Sequence, residues 1–357
     1  MILSKNLVLS LMSVPLLATS FTAAAQAQTA EAEKPFACAP APTPVLGLSI
    51  GSRYEKGSAT RSEISEQSNQ DVDRALKPVE DFISDLSKMA NVAYLSEPEG
   101  VANADCVMDW LHAWADADAL NELDSLNARL AISPRLAGMA LAYLQAKTVA
   151  SVDETRDETI IAWFDQHAKN VMAFFEEEAG PLASTNNLRA WAALATAAIG
   201  RITGDEPTLS WARESYKLLV CGAEASGALP SEMERGERAL HYQLHALAPL
   251  VVAIGLIDPD GTADDELCRT KLEQIADFTL ASVKDPQTVA DLVGKDQVFS
   301  GDDETQPADY QLAWAEAYLK RYANPDLQAL IEPMRPLRYT KLGGDLTAIY
   351  GASEPTR

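Results

Sequence analysis

The chain reads as an all-α domain of antiparallel helix hairpins curling into a toroid, and three observations carry that reading. From about residue 65 onward, apolar residues recur at helical spacing in one segment after another, as in Trp110/Trp114 and Trp163/His167. Breakers separate the segments at Gly180-Pro181, Gly204, Gly227 to Pro230, Gly261 and Pro325. Strand-type alternation is nearly absent, with short possibilities only around 45–50 and 336–350. Short connections between successive helices imply antiparallel neighbours. No fixed internal period is visible, which argues against a repeat solenoid.

In chain order, the first 27 residues read as a cleavable export signal. Lys5 supplies the positive start, Leu7 to Phe21 the apolar stretch, and Ala23 to Ala27 the small residues of a cleavage site. The apolar run is short for a membrane anchor and contains Pro15, and no later segment is expected to span a bilayer. Residues 28–62 form an extended arm, because Pro35, Pro40, Pro42 and Pro44 block helix and Gly47, Gly51 and Gly57 follow. Residues 63–357 form one toroid domain. Helices are predicted over 66–92, 102–118, 134–149, 154–178, 186–203, 206–225, 231–256, 263–285 and 307–322. The acidic stretches at Asp258 to Glu266 and Asp302 to Glu304 lack metal-loop spacing and read as solvated turns.

The length of 357 residues allows one large domain or two ordinary ones, and 47% apolar residues is a globular composition. The net charge is −23, and −24 once Lys5 leaves with the signal. That excludes nucleic acid as a partner. A far field of this sign also repels a polyanion, although a local cationic cleft overcomes it at short range in salt. Export points to a bacterial periplasm, where an even count of four cysteines favours two disulfides. Three pairings are open. Cys38–Cys106, tying the arm to a helix, with Cys221–Cys268 is the favoured set. The spacings do not resemble a zinc site.

Four segments carry candidate chemistry. In SEMERGERALHYQLHALAPL, over 231–250, Arg235, Arg238, Tyr242 and His245 fall on one stripe of a continuous helix. Arginines hold carboxylates, and a phenol moves a proton if its pKa is lowered. The plain alternative is a surface helix whose arginines pair with Glu232, Glu234 and Glu237. In STNNLRAW, over 184–191, Ser184 or Thr185 can cap a helix and the tandem asparagines offer amide groups. In GSRYEKGS, over 51–58, Arg53 and Tyr54 sit in a glycine-flanked loop able to cover a cleft. LRYTKLGGDLTAIY, over 337–350, is a basic patch with Lys341 before a Gly-Gly turn.

Together and in this order, these segments resemble the alginate lyase family of α/α-toroid polysaccharide lyases, in the branch that holds the periplasmic lyase of bacterial alginate-export systems. The landmarks are Cys38-Ala-Pro, Ser52-Arg-Tyr-Glu, Cys106 with Trp110 and Trp114, Trp163-Phe164, Asn186-Asn187 with Trp191, Glu232 to Tyr242, and Leu342-Gly343-Gly344. They span essentially the whole mature chain. The resemblance implies β-elimination, in which the proton at C5 of a uronate leaves and the glycosidic oxygen at C4 is expelled. The charged carboxylate must be neutralised for that proton to go. The resemblance assigns this to Asn187 and Arg235 and the proton to Tyr242, with Arg235 and Arg238 expected to lower the Tyr242 pKa. Arg53, Tyr54, Arg238, His245, Trp191 and Lys341 are the implied substrate contacts.

One departure is clear. The family motif is Asn-Asn-His, and here the third position is Leu188. Leucine neither donates to a carboxylate nor carries a proton. Among the four histidines, His112, His167, His241 and His245, only His245 shares the expected stripe; His241 is turned away by about 100°, as is the side chain of Arg189. The His241/His245 pair has helical spacing for a metal, but no carboxylate completes a motif, so no metal or organic cofactor is expected.

The functional expectation is a periplasmic lyase for an acidic polysaccharide or oligouronate, acting as a monomer, with altered or reduced activity. The rivals are a non-catalytic acidic-glycan-binding relative and an α/α-toroid hydrolase, which needs a carboxylate pair.

Overall fold

A computed structural model describes residues 37–96, 100–263, 266–299 and 305–351. The expected export signal and the acidic residues Asp264, Asp265, Asp302, Asp303 and Glu304 lie outside these. The described residues pack as one unit.

The arm is not wholly irregular. Strand β1, Gly47–Leu48, pairs in parallel with β2, Glu122–Leu123. The buried indoles of Trp110 and Trp114 donate to the carbonyls of Ala39 and Pro42, at 2.8 and 3.0 Å. The Cys38–Cys106 disulfide ties the start of the arm to the same helix.

Helix α1, Glu66–Leu95, buries Val72, Leu76, Val79, Phe82, Ile83 and Leu86, the stripe expected at helical spacing. It packs on α2, Gly100–Asp116, where Phe82 stacks on Trp114. The short α3, Leu126–Ala131, precedes α4, Ser133–Lys147. Helix α5, Glu154–Glu177, starts at Asp153, whose side chain accepts the Arg156 N–H.

Helix α6, Asn187–Thr203, is the axis of the fold. Asn186 caps it and Gly204, in the left-handed region, ends it. Its residues from Ala190 to Gly200 are buried on every side, because α4, α5, α7 (Glu206–Val220) and α9 (Ala239–Ile257) all pack against it.

The predicted helix over 231–256 is broken. The four-residue α8, Pro230–Met233, ends, and Gly236 adopts φ +57° before a 3-10 turn at Gly236–Arg238 leads into α9. Glycine enters that left-handed backbone at little cost. Arg235 and Arg238 therefore lie off any common helical stripe with Tyr242 and His245. Contrary to expectation, Gly236–Ile257 is long and apolar enough to cross a membrane. It is a core helix here, enclosed by α6, α7, α10 (Arg269–Lys284) and α12 (Trp314–Arg321).

Cys221–Cys268 links the end of α7 to the start of α10, so the predicted helix over 263–285 begins only after Cys268. Four described helices were not predicted: α3, α11 (Gln287–Val293), α13 (Pro325–Ile331) and α14 (Leu346–Tyr350). All are short. The C-terminal strands β3, Arg338–Tyr339, and β4, Gly344–Asp345, form a hairpin that returns to α1. Asn91 of α1 clamps it, donating to the Gly343 carbonyl at 2.8 Å and accepting the Asp345 N–H at 2.7 Å. Gly344 sits at φ +107°, and a Cβ there would fall 2.3 Å from Asn91 Oδ1. Only glycine fits.

Candidate active site

A cavity of about 370 Å³ opens between the arm, α1, α3, the start of α6 and the Arg235 turn. The arm supplies its cover. Residues 53–65 fold into a small ribbon, with Tyr54 bridged to Ile64 and the Glu55 N–H donating to the Glu63 carbonyl at 2.9 Å. Two arginines hold the ribbon down. Arg235 Nε donates to the Thr60 carbonyl and Arg238 Nε to the Ser62 carbonyl, each at 2.9 Å. Arg235 Nη2 reaches the Arg61 carbonyl and, at 3.2 Å, the Tyr54 hydroxyl.

Under this cover the hydroxyls of Tyr54 and Tyr242 are hydrogen-bonded to each other. The Arg235 guanidinium lies 3.6 Å from the centre of the Tyr242 ring, close enough for cation–π attraction. The Tyr242 pKa is nonetheless raised, contrary to expectation. Burial is the largest cause and Tyr54 adds to it, outweighing Arg235 and Arg238.

Asn187 opens α6 and lines the cavity. Its neighbour Asn186, and not Ser184 or Thr185 as expected, caps α6, its side-chain oxygen accepting the Leu188 N–H. Leu188 is in the cavity wall, at the place where the resemblance calls for histidine. Arg53 also lines the cavity and pairs with Asp73 at 2.6 Å.

The structure thus brings Asn187, Arg235, Tyr242, Arg53 and Tyr54 to one cavity. The other named residues stand elsewhere. Trp191 is fully buried and its indole N–H donates to His245 Nε2 at 3.1 Å, and neither residue lines the cavity. Arg238 is spent on the arm. Lys341 pairs with Glu80 at 3.0 Å, and burial, aided by Arg135, lowers its pKa to about 8. Neither His245 nor His241 supplies the missing cation. Burial holds His245 well below its ordinary pKa, and burial with Arg238 and Arg235 brings His241 to about 3. His241 instead meets Gln311 at 3.0 Å.

Two wall residues escape sequence reasoning, and Glu232, named there only as a landmark and a partner for arginines, takes a support role. Arg61 and Arg135 line the cavity, and Glu232 holds Asn187. For Arg61, membership of the glycine-flanked arm was a usable signal; Arg135 lay inside an ordinary apolar helix and gave none. Among the described residues the wall carries Arg53, Arg61, Arg135 and Arg235 and no Asp or Glu. Along α1, α3 and the 180–183 turn the wall is aliphatic instead, with Leu76, Leu130 and Leu182.

Fold and site together define a class: an α/α toroid with an arginine-lined cavity closed over a buried tyrosine. Comparison with known proteins narrows it. The alginate lyase family model matches residues 20–289. An alginate lyase of Pseudomonas fluorescens Pf-5 is 31% identical over 325 residues, 88% of this chain and 84% of that one. One from Cobetia marina is 30% identical, covering 90% and 86%. This chain belongs to the alginate lyase family. Alginate lyase A1-III of Sphingomonas species A1 has the same fold, with a TM-score of 0.69 at 21% identity over 89% of this chain and 88% of that one. A variant of A1-III complexed with tetrasaccharide gives 0.72 at 20% identity, over 91% and 88%.

Proposed function

We propose that this protein is a periplasmic lyase that cleaves an alginate-like uronate polymer by β-elimination, at a reduced rate. The observation that carries the reading is the cavity wall, where four arginines converge with no Asp or Glu in the described lining, Arg53 and Arg135 being paired outside it with Asp73 and Glu80, in a chain of net charge −23. At contact distance in a partly desolvated site, these guanidinium groups outweigh a screened far field. The names of the relatives, and the tetrasaccharide bound by A1-III variants, support an acidic oligosaccharide. The disulfides fit an oxidising compartment.

In this reading a uronate carboxylate meets Arg235 and the Asn187 amide, and its charge is neutralised as the C5 proton leaves. Tyr242 takes that proton and returns one to the departing C4 oxygen. Burial keeps the phenol protonated, so it is ready as the acid and must first lose its proton to serve as the base. Arg235 holds the arm through Nε and Nη2, which leaves Nη1 to engage a carboxylate. Leu188 removes one donor. A missing donor of this kind typically costs about 10²–10³ in rate.

Leu188 also favours a second reading, a relative that binds acidic glycans without cleaving them. The hydrolase reading lacks support, because no carboxylate pair stands in the described wall. The deciding experiment is ultraviolet absorbance on incubation with mannuronate, guluronate and glucuronate polymers. Elimination creates an absorbing unsaturated uronate and hydrolysis does not. A rising trace with one polymer establishes the lyase and names its substrate. Flat traces with all three, alongside calorimetric binding, leave the glycan-binding reading, and reducing ends without absorbance mean hydrolysis.

A further inference from the structure

We propose that Glu232 is a positioning residue that orients the Asn187 amide toward a uronate carboxylate; the proposal rests on the lyase reading above. Glu232 is 1% exposed and does not line the cavity. Its carboxylate accepts the Asn187 backbone N–H, and its two oxygens lie 3.3 and 3.1 Å from Asn187 Nδ2. One amide hydrogen pointing between these oxygens leaves the second, with Oδ1, for the cavity. Without that partner the amide has two orientations related by a half-turn, and they present opposite polarity to a ligand.

The location of Glu232 supports this assignment. It lies on α8, which is tied to the segment before α6 by the Ser231 and Thr185 hydroxyls, 3.0 Å apart. Asn186, beside Asn187, is already committed to capping. Glu232 therefore acts on the asparagine of the pair whose side-chain oxygen is not spent on the cap. A buried carboxylate is expensive compared with an apolar side chain of similar size. Arg235 is the charged group acting on it, and burial raises its pKa to about 7. With histidine absent at Leu188, Asn187 and Arg235 are the named groups left to meet the carboxylate, so the orientation of Asn187 matters more.

The competing explanation is purely structural, a carboxylate stabilising the first N–H of α6. A double-mutant cycle separates the two. Wild type, Glu232→Gln, Asn187→Ala and the double variant are compared for turnover by absorbance and for Kd with a defined uronate oligosaccharide, with thermal melts confirming folding. If Glu232 acts through Asn187, Glu232→Gln lowers kcat roughly tenfold in the wild-type background and less than twofold once Asn187 is alanine. Equal losses in both backgrounds, or wild-type kcat and Kd in Glu232→Gln, overturn the proposal. If Glu232→Gln does not fold, Glu232→Asp keeps the charge but withdraws the oxygens; it is expected to lose turnover with the same dependence on Asn187, and wild-type behaviour overturns the proposal. A wild type that binds the oligosaccharide without eliminating it refutes the lyase reading alone, and the cycle is then read in Kd. A wild type that does neither refutes both.

Discussion

Arg235 and Tyr242 stand face to face, the guanidinium 3.6 Å from the centre of the phenol ring, while the same guanidinium holds the Thr60 and Arg61 carbonyls of the arm. One cation thus covers the ring and fastens the cover of the cavity, and in the proposed reading it also receives a carboxylate. Nε and Nη2 carry the arm contacts, so Nη1 is the nitrogen left for that third role.

Tyr242→Phe removes the hydroxyl proposed to carry the proton and leaves the ring under Arg235. Elimination is expected to vanish in the absorbance assay, while calorimetric affinity for an oligouronate stays within a few-fold of wild type. Full turnover in this variant rules out Tyr242 as the proton carrier.

Burial raises the Tyr242 pKa above its ordinary value of 10.0. A base of this kind works only through its deprotonated minority, which grows tenfold with each pH unit below the pKa. The logarithm of kcat/KM should therefore rise with a slope near one from pH 7 to 9. A plateau already reached by pH 7 would show that a different group takes the proton.

Leu188→His restores a donor in the cavity wall at the start of α6. An increase in turnover of up to about 10²-fold is expected, measured on the polymer that wild type prefers. No gain would mean that Leu188 is not what limits the rate.

Glu232 holds its proton up to about pH 7 in the folded protein, against an ordinary value of 4.5. Between these values the folded state binds more protons than the unfolded chain. The contribution of this group to stability is therefore greatest below pH 4.5 and is lost as pH rises through 7, by up to about 3 kcal/mol. Urea unfolding at pH 5 and pH 8 should show Glu232→Gln gaining on wild type by about that amount at the higher pH. A constant gap between the two proteins contradicts the assignment.

The Cys221–Cys268 bridge spans 47 residues. Replacing both cysteines with serine should cost about 4 kcal/mol, the loop-closure entropy returned to the unfolded chain. Thermal and urea unfolding of the oxidised variant measure it. Loss of less than about 1 kcal/mol would mean that the unfolded chain is already held compact over this stretch.

Much of the fold was legible because periodic burial leaves a periodic sequence. The stripe Val72, Leu76, Val79, Phe82 and Ile83 announces α1, and Gly204 marks the end of α6, whose cap proved to be Asn186 and not Ser184 or Thr185. The short helices α3, α11, α13 and α14 have too few turns to show a period. The break before α9 was present in the sequence as Gly236, yet the apolar and charged residues around it mimic an unbroken helix. At the site, Asn187, Arg235, Tyr242, Arg53 and Tyr54 were named together and do share a cavity. Trp191, His245, Arg238 and Lys341 have equally suggestive side chains, but each is committed to another protein group.

Sequence alone was sufficient for the helical class, the family and the leucine where that family carries histidine, because all of these are local patterns or identities at positions; it left three disulfide pairings open, and the structure holds the favoured set. Only the tertiary structure decided which charges face the cavity and which are neutralised, and that Tyr242 keeps its proton. Those outcomes depend on burial and on partners distant in the chain: Tyr54 lies 188 residues from Tyr242, and Glu232 lies 45 from Asn187. No local pattern encodes the desolvation that their packing imposes.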